Sequence, residues 1–259
     1  MPQYKYSTLA VHAGQQPDPL TGAVNVPVYL SSTFELTGIG ADRGYDYSRA
    51  GNPTRDRLET ALAALEGGMS GHAFTTGMAA IAALVAMLRA GDHIVCSRDV
   101  YAGTVRLFDR IVSGYGIQIE YVDTSSLCAV EAAMKPNTKL VHIETPSNPL
   151  MVLTDIAGVV KIAHARGVEV SVDNTFLSPA LQRPIERRTS SLTEPCVVVA
   201  ECEASDSTPP SDSALMNILM AFRNRSASAR DLSSKLIIEP KPFCCFMARS
   251  YCGCDLSPG

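Results

Sequence analysis

The sequence lacks the features that mark a membrane protein, a nucleic-acid-binding protein or a secreted protein. Its longest uninterrupted apolar run, Ala79 to Leu88, is too short to cross a bilayer. The first residues contain no apolar core and no cleavage site of a signal peptide. The net charge is −4 without any long basic run, so nothing indicates binding to nucleic acid or to an anionic membrane. We therefore expect a cytoplasmic protein that acts on small molecules.

A metal-binding cysteine pattern is also missing. Of the 8 cysteines, only Cys96 and Cys128 precede residue 190, and the others crowd the last part of the chain. None forms the pair of C-x-x-C motifs, or the combination with histidines, that a zinc site needs. We expect free thiols and no metal.

What the sequence does contain is a globular composition. Apolar residues make up 46% of the 259 residues and charged residues 19%, which is typical of a folded protein. The length allows one large α/β domain or two smaller ones. Repeated Gly and Pro residues between Gly14 and Pro27 predict an irregular arm over residues 1–60, which needs another surface, such as a neighbouring subunit, to pack against.

Residues 52–186 are regular in pattern, and residues 61–186 are predicted to form an α/β domain. A helix starts at Asn52 and Pro53, as an N-cap followed by Pro at the first helical position, and stops at Gly67. Alternation of strand and helix patterns then predicts a mainly parallel sheet with helices on both faces. The predicted strands are 72–75, 93–96, 117–122, 140–143 and 168–172, and the predicted helices are 53–66, 77–88, 105–112, 128–134 and 156–165.

Residues 187–259 differ from the rest and are predicted to form a divergent, poorly ordered tail. The stretch 204–213 is a Ser/Pro/Asp-rich loop, and only a short apolar stretch, Ala214 to Phe222, follows it. No clear strand follows residue 186, although the alternating pattern leads us to expect one.

The strand that ends at Asp173 delivers a carboxylate to the carboxyl edge of the predicted sheet, where open α/β sheets bind ligands. One suitable partner is the protonated ring nitrogen of pyridoxal phosphate. On this strand alone, the simpler interpretation that Asp173 caps the next turn is favoured. Likewise, Thr75 to Met78 at a strand-to-helix junction form either a phosphate site or a tight turn that needs Gly77.

Other polar residues fall at the same edge. Tyr101 can stack on a planar ring or be an ordinary half-buried tyrosine. Glu144 and Asn148 follow the strand 140–143, in a turn that its two prolines also explain. In the arm, Tyr47 and Arg49 suit a phosphate, or form a solvated surface pair.

Several segments occur together in the order and spacing of one enzyme family, over roughly residues 7–186. They are T-L-A-V-H-A-G (8–14), P-V-Y-L-S-S-T-F (27–34), Y-S-R-A-G-N-P-T-R-D (47–56), T-T-G-M-A-A-I (75–81), D-V-Y-A-G-T (99–104), E-T-P-S-N-P (144–149) and V-D-N-T-F-L-S-P (172–179). On these segments the chain resembles the Cys/Met-metabolism enzymes that use pyridoxal phosphate: cystathionine γ-synthase, cystathionine γ-lyase, methionine γ-lyase and the homoserine sulfhydrylases.

The resemblance implies the large domain of fold-type I pyridoxal-phosphate transferases, in incomplete form, and a homo-oligomer. It implies that Thr76, Gly77 and Met78 bind the cofactor phosphate. It further implies roles for eight more residues. Tyr47 and Arg49 reach the phosphate from the partner subunit, Tyr101 stacks on the ring and takes part in proton transfer, Asp173 pairs with the ring nitrogen, Asn148 and Thr175 line the site, and Arg106 and Glu144 lie near the substrate.

The sequence departs from the family at its most important residue. The family carries a Schiff-base lysine beyond the aspartate in an S-x-T-K motif, whereas no lysine occurs here between Lys161 and Lys235. Lys235, in S-S-K-L, stands in a different context. The family's C-terminal substrate domain also has no counterpart. Codons for residues 188–192, read in another frame, can encode Asp-Ile-Val-Val, which resembles the family's strand before the lysine. We therefore expect a truncation or frameshift after about residue 186, which the nucleotide sequence of the gene tests.

Two classes of function remain from these observations. The first is a trans-sulfuration enzyme that makes or breaks C–S bonds by elimination or replacement, inactive in this chain because the lysine is missing. The second is a non-catalytic cofactor-binding or subunit-interaction fragment. A nucleotide-binding doubly wound protein is disfavoured, because no G-x-G-x-x-G motif follows a strand.

Overall fold

The computed structural model describes residues 4–187, 196–201 and 218–222. The described strands form one seven-stranded sheet in the order β1-β6-β7-β5-β4-β2-β3. The strands are β1 (Ser70–Phe74), β2 (His93–Ser97), β3 (Gln118–Val122), β4 (Thr138–Glu144), β5 (Glu169–Asp173), β6 (Cys196–Glu201) and β7 (Ile218–Phe222). The α-helices are α1 (Tyr6–His12), α2 (Pro53–Glu66), α3 (Gly77–Val85), α4 (Ala102–Leu107), α5 (Leu127–Ala133) and α6 (Ile156–His164).

The sheet is parallel except at one strand. Within the described sheet, β7 runs antiparallel to both of its neighbours, and all other pairs are parallel. The carboxyl ends of β1, β2, β4 and β5 therefore lie at one edge. This confirms the predicted α/β architecture with a mainly parallel sheet.

Helices cover both faces of the sheet, as the alternating pattern predicts. On one face α5 and α6 pack on the apolar side chains of β4 and β5, including the fully buried Ile143 and Val170. On the other face α3 and α4 pack on the side chains of β2, including Ile94, which is also fully buried. Burial on both faces explains why these strands carry near-continuous apolar runs.

Local sequence signals account for the ends of helix α2. The Asn52 side chain accepts the Thr54 N–H at 2.8 Å, and Pro53 occupies the first helical position. Gly67 ends the helix with φ 71°, a left-handed conformation that favours glycine. Both helix boundaries agree with the sequence analysis.

The arm over residues 1–60 contains one helix that the sequence analysis did not predict. The short helix α1 lies against α2, and Gly14 comes after it with φ 70°. A Cβ at Gly14 would lie 2.5 Å from the Arg57 carbonyl oxygen, so only glycine allows this close approach. The side chains of Leu20, Leu30 and Ile39 are at least nine-tenths exposed. The arm therefore presents apolar side chains that the described part of the chain does not cover.

Strands β6 and β7 are the main difference from the sequence analysis, which found no strand after residue 186. Strand β6 pairs with β1, and β7 lies between β6 and β5. The physical reason is the run Cys196 to Ala200, whose three consecutive valines have high β-strand propensity. The predicted disorder elsewhere in 187–259, and Lys235, lie outside the described residues.

Among the described residues, no helix is long and apolar enough to span a bilayer. A cavity of about 440 Å³ lies between the arm and α2, lined by residues such as Asp18, Tyr29 and Arg57. None of its lining residues belongs to the carboxyl edge of the sheet.

Candidate active site

Three of the predicted site residues meet where the strands end. Tyr101 lies in the loop that follows β2, Glu144 ends β4, and Asp173 ends β5. Glu144 and Asp173 are directly opposite each other in the parallel pairing of β4 with β5. The register of the sheet therefore places two carboxylates side by side at this edge.

Glu144 is the most deeply buried member of this group, with 4% of its surface exposed. Its Oε2 accepts the Tyr101 backbone N–H at 2.8 Å, and its Oε1 accepts the Asn148 backbone N–H at 2.8 Å. Burial, and after it the negative charge of Asp173, raise the pKa of Glu144 to about 7, against the opposing effect of the two N–H donors. A carboxyl group that changes charge near neutral pH therefore lies beneath the loops of the site.

The Tyr101 ring occupies a position that depends on Gly103. A Cβ at Gly103 would lie 2.4 Å from Cε1 of Tyr101 and 3.0 Å from the sulfur of Met78. The ring therefore packs over Gly103, close to the Met78 side chain at the start of α3. Tyr101 is 46% exposed, so the residue remains partly open to solvent at the site.

Asp173 is half-buried and organises the turn that follows it. Its Oδ1 accepts the Thr175 backbone N–H at 3.0 Å and also the Thr175 hydroxyl. The two interpretations of Asp173 from the sequence are thus compatible. Its Oδ1 caps the turn, and the carboxylate still lies at the carboxyl end of β5. The Thr175 hydroxyl orients Asp173 through this bond.

The start of α3 offers donors for an anion. The Thr76 hydroxyl caps the helix by accepting the Ala79 N–H at 3.0 Å, and its own proton remains to be donated. The N–H groups of Gly77 and Met78 occupy the first helical positions, where helix geometry provides no internal acceptor. Thr75 and Thr76 are exposed and Gly77 and Met78 are half-buried, so the start of α3 is open to solvent.

Three predicted site residues are not brought to this cluster by the contacts within the described part of the chain. Tyr47 and Arg49 are exposed in the arm and contact each other, with the guanidinium carbon 5.3 Å from the ring centroid. Arg106 is exposed on α4, and its Nε donates to the Ala102 carbonyl oxygen at 3.3 Å. The expectation that the arm residues act from a partner subunit stays a prediction.

Asp99 and Ser147 were not among the site residues predicted from the sequence. The Asp99 carboxylate accepts the Ser147 hydroxyl and the Leu150 backbone N–H, and so joins the loop after β2 to the loop after β4. Both residues stand inside segments that were quoted for the resemblance, D-V-Y-A-G-T and E-T-P-S-N-P. Their pairing depends on two loops that are distant in sequence, so no local signal pointed to it.

The donor set fits pyridoxal phosphate. An aromatic face, a helix N-terminus with a hydroxyl, and a carboxylate suit a ring, a phosphate and a protonated ring nitrogen, respectively. The absence of a side chain at Gly103 forms the cradle in which the Tyr101 ring lies. These are groups of this chain's own residues, gathered at one edge of the sheet.

Comparison with known proteins links residues 7–189, and not only the candidate site, to pyridoxal phosphate. The family model "Cys/Met metabolism PLP-dependent enzyme" matches residues 7–189. The chain is 51% identical over 181 residues to a cystathionine gamma-synthase of Mycobacterium tuberculosis, covering 69% of this chain and 47% of that protein. It is 46% identical over 181 residues to a cystathionine gamma-lyase of Bacillus subtilis, covering 70% of this chain and 48% of that protein.

A solved structure leads to the same family. Cystathionine gamma-lyase from Lactobacillus plantarum, complexed with L-serine, superposes with a TM-score of 0.76 at 38% identity, covering 89% of this chain and 58% of that chain. The chain spans about half the length of the curated relatives it matches. Since the family model matches residues 7–189 of 259, the chain belongs to the family of Cys/Met metabolism enzymes that depend on pyridoxal phosphate.

Proposed function

We propose that this chain carries the cofactor-binding half of a trans-sulfuration enzyme of the cystathionine γ-synthase and γ-lyase type. Such enzymes make or break C–S bonds of sulfur amino acids by elimination or replacement. The observation that carries the proposal is the cluster of Met78, Tyr101, Glu144 and Asp173 at the carboxyl edge. Its chemistry matches the parts of pyridoxal phosphate, and its residues stand in the family's motifs.

Five residues at the carboxyl edge take part directly in holding the cofactor in this proposal. Thr76 and the N–H groups of Gly77 and Met78 hold the phosphate. The Tyr101 ring stacks on the cofactor ring and its hydroxyl moves a proton at the substrate. The Asp173 carboxylate keeps the ring nitrogen protonated, because a nearby negative charge favours the charged form. When bound, the cofactor supplies an electron-withdrawing ring that stabilises negative charge on a substrate carbon.

The remaining residues complete the proposed site. Asn148 and Thr175 line it, and Arg106 lies at the substrate entrance. Tyr47 and Arg49 contact the phosphate from a second copy of the chain, which is consistent with their exposure in the arm. The proposal thus includes a homo-oligomer.

We propose further that residues 1–259 bind pyridoxal phosphate without a covalent bond and do not turn over substrate. No lysine occurs between Lys161 and Lys235, the region where the family carries its cofactor lysine. Among the described lysines, Lys5 lies in the arm, Lys135 and Lys139 lie at the beginning of β4, and Lys161 lies in the last turn of α6. Since the site is at the opposite ends of the strands from Lys135, Lys139 and Lys161, none of these three amines reaches it.

Titration of the chain with pyridoxal phosphate, followed by absorbance, tests binding. Asp173→Asn should weaken binding about tenfold or more, because it removes the charge that pairs with the ring nitrogen. Asp92→Asn is the matched control, since Asp92 also accepts a backbone N–H, from Arg89 at 2.8 Å, but outside the cluster. Equal affinity of both variants would contradict the role of Asp173.

Borohydride reduction of the cofactor-saturated chain, followed by peptide mapping, tests the missing covalent bond. We expect no stoichiometric pyridoxyl adduct. A stoichiometric adduct on Lys235, together with elimination activity toward cystathionine, would show that the chain is a working enzyme.

A second candidate function is supported by the exposed apolar side chains of the arm. Leu20, Leu30 and Ile39 are at least nine-tenths exposed, which favours contact with another chain. In this alternative the chain is a non-catalytic partner that docks its arm onto a full-length relative. Co-purification with a tagged full-length relative tests it, and a triple change of these residues to Ser should abolish the association. Unchanged association of the triple variant would exclude the arm as the contact surface.

A further inference from the structure

Two loops at the carboxyl edge are joined by two carboxylates, and each carboxylate accepts hydrogen bonds from the other loop. Asp99, in the loop between β2 and α4, accepts the Leu150 N–H at 3.1 Å and the Ser147 hydroxyl. Both donors belong to the loop between β4 and α6. The first loop therefore holds the second through a negatively charged acceptor, which makes stronger hydrogen bonds than a neutral one.

Glu144 makes the reverse connection. It ends β4 and accepts the Tyr101 N–H of the first loop at 2.8 Å, while its other oxygen accepts the Asn148 N–H of its own loop at 2.8 Å. Glu144 is 4% exposed, so its hydrogen bonds are shielded from water. Water is therefore not available to replace it as the acceptor of either N–H. Asp99 and Glu144 thus form a reciprocal pair, which we call the loop clamp.

The clamp fixes both loops at the residues that face the site. Ser147 accepts the Val152 N–H at 2.8 Å as well as donating to Asp99, so the second loop is closed on itself at the same point. Tyr101 is held at its backbone by Glu144, and its ring rests over Gly103. A shift of either carboxylate therefore moves the backbone from which Tyr101 or Asn148 projects.

We propose that Asp99 and Glu144 are positioning residues that set the place of Tyr101 and Asn148 together. Neither carboxylate needs to touch a ligand, because each acts through the backbone of the other's loop. The inference rests on the proposed function only in that Tyr101 and Asn148 face the cofactor. The coupling of the two loops follows from the hydrogen bonds alone and is measurable without cofactor.

Hydrogen exchange of the full chain, read by mass spectrometry at residue resolution, tests the coupling directly. The variants are Glu144→Gln and Asp99→Asn. Asp123→Asn is the matched control, because Asp123 accepts the Ser125 N–H at 3.0 Å and the Ser125 hydroxyl at 2.6 Å in the loop after β3. It makes the same kinds of bond as Asp99, outside the clamp.

The decisive result is the effect of each variant on the opposite loop. Asp99→Asn should speed exchange of the Tyr101 N–H, which Asp99 does not touch, by about tenfold, the loss expected when a charge-assisted bond no longer holds the loop closed. Glu144→Gln should speed exchange at both Tyr101 and Leu150. Changes confined to the amide that each carboxylate accepts would overturn the proposal, as would changes equal to those of Asp123→Asn. If Glu144→Gln does not fold, Asp99→Asn decides alone.

A spectroscopic signature gives a second readout. The sequence contains no tryptophan, so Tyr101→Trp introduces the sole indole of the chain. In the Asp99→Asn background its emission should shift to longer wavelength and its quenching by acrylamide should increase, relative to the Asp123→Asn background. Identical emission in both backgrounds would contradict the clamp, because the ring would then be placed independently of Asp99.

Titration with pyridoxal phosphate connects the clamp to the proposed function. Asp99→Asn should raise the dissociation constant of the cofactor several-fold, and Asp123→Asn should leave it unchanged. Failure of the unaltered chain to bind the cofactor would contradict the proposed function, whereas the exchange and emission results would still decide the clamp.

Discussion

The two edges of the sheet each bury a titratable side chain, but they surround it differently. At the carboxyl edge Glu144 lies beside Asp173 and accepts the backbone N–H groups of Tyr101 and Asn148. At the amino edge His93, fully buried at the start of β2, bonds the Thr138 hydroxyl at 2.8 Å. Lys135 and Glu120 form an ion pair of 2.6 Å next to that histidine.

The two edges therefore differ in how their charges are compensated. At the amino edge opposite charges are paired, and burial together with Lys135 lowers the pKa of His93, which keeps the ring neutral. At the carboxyl edge like charges are neighbours, and a raised pKa leaves Glu144 able to change charge near pH 7. Neighbouring like charges of this kind are typical of functional sites, because a bound ligand supplies the opposite charge or the hydrogen bonds that the protein lacks there.

The largest expected effect concerns Glu144 and pH. Its pKa in the folded chain is about 7, above the ordinary value of 4.5, so the folded state holds a proton that the unfolded state has released. The free energy of unfolding should therefore fall as pH rises from about 4.5 to about 7, by an amount on the order of 3 kcal/mol from this group. Urea unfolding across this pH range measures the trend.

Glu144→Gln provides the comparison for that trend, because the amide does not titrate. The difference in unfolding free energy between the unaltered chain and the variant should change with pH in this window, with Asp173 and Asp99 present in both. A constant difference from pH 4.5 to 7 would show that Glu144 has an ordinary pKa.

The next effect concerns Gly103, where the Tyr101 ring leaves no space for a Cβ. Gly103→Ala would place the new atom 2.4 Å from that ring, so the ring must move from its place. We expect affinity for pyridoxal phosphate to fall about tenfold, which is the loss of roughly one aromatic stacking contact. Gly114→Ala is the control, since nothing lies within 4 Å of a Cβ there. Equal affinities would show that the ring position does not matter for binding.

The amino edge should respond to pH in the opposite direction. Because the pKa of His93 is lowered in the folded chain, the unfolded state takes up a proton first as pH falls below about 6.5. Stability from this group is therefore present at neutral pH and is lost as pH falls. His93→Gln should reduce the loss between pH 6.5 and 5, whereas His12→Gln, at an exposed position in the arm, should not. A loss of the same size in all three proteins would rule out His93 as its source.

The smallest effect is expected for the ion pair beside His93. Lys135 and Glu120 are 47% and 39% exposed, so solvent screens their attraction. Lys135→Met should change the free energy of unfolding by no more than about 0.5 kcal/mol. A loss of about 2 kcal/mol or more, measured by urea unfolding, would show that the amino edge depends on the pair more than its exposure implies.

Much of the fold was predictable because its signals are local. The caps Asn52 and Gly67 gave the ends of α2, and the valine alternation from Val168 to Val172 gave β5. The placement of Tyr101, Glu144 and Asp173 at one edge followed from parallel strands alone. By contrast, α1 was missed because its seven residues carry no side-chain cap, and β6 because polar residues surround its valine run.

The sequence by itself determined the alternation of helices and strands from α2 to β5, the family, and which residues have the chemistry to bind the cofactor. Only the tertiary structure decided that Asp99 and Glu144 connect the two loops by hydrogen bonds. The bonded residues are far apart in the sequence: Glu144 and Tyr101 by 43 positions, and Asp99 and Ser147 by 48. It also decided that Glu144 lies beneath the site with a raised pKa, because burial beside Asp173 exists only once β4 and β5 pair in register. Periodicity and caps act within a few residues along the chain, whereas burial and charge proximity arise from contacts that only the folded sheet creates.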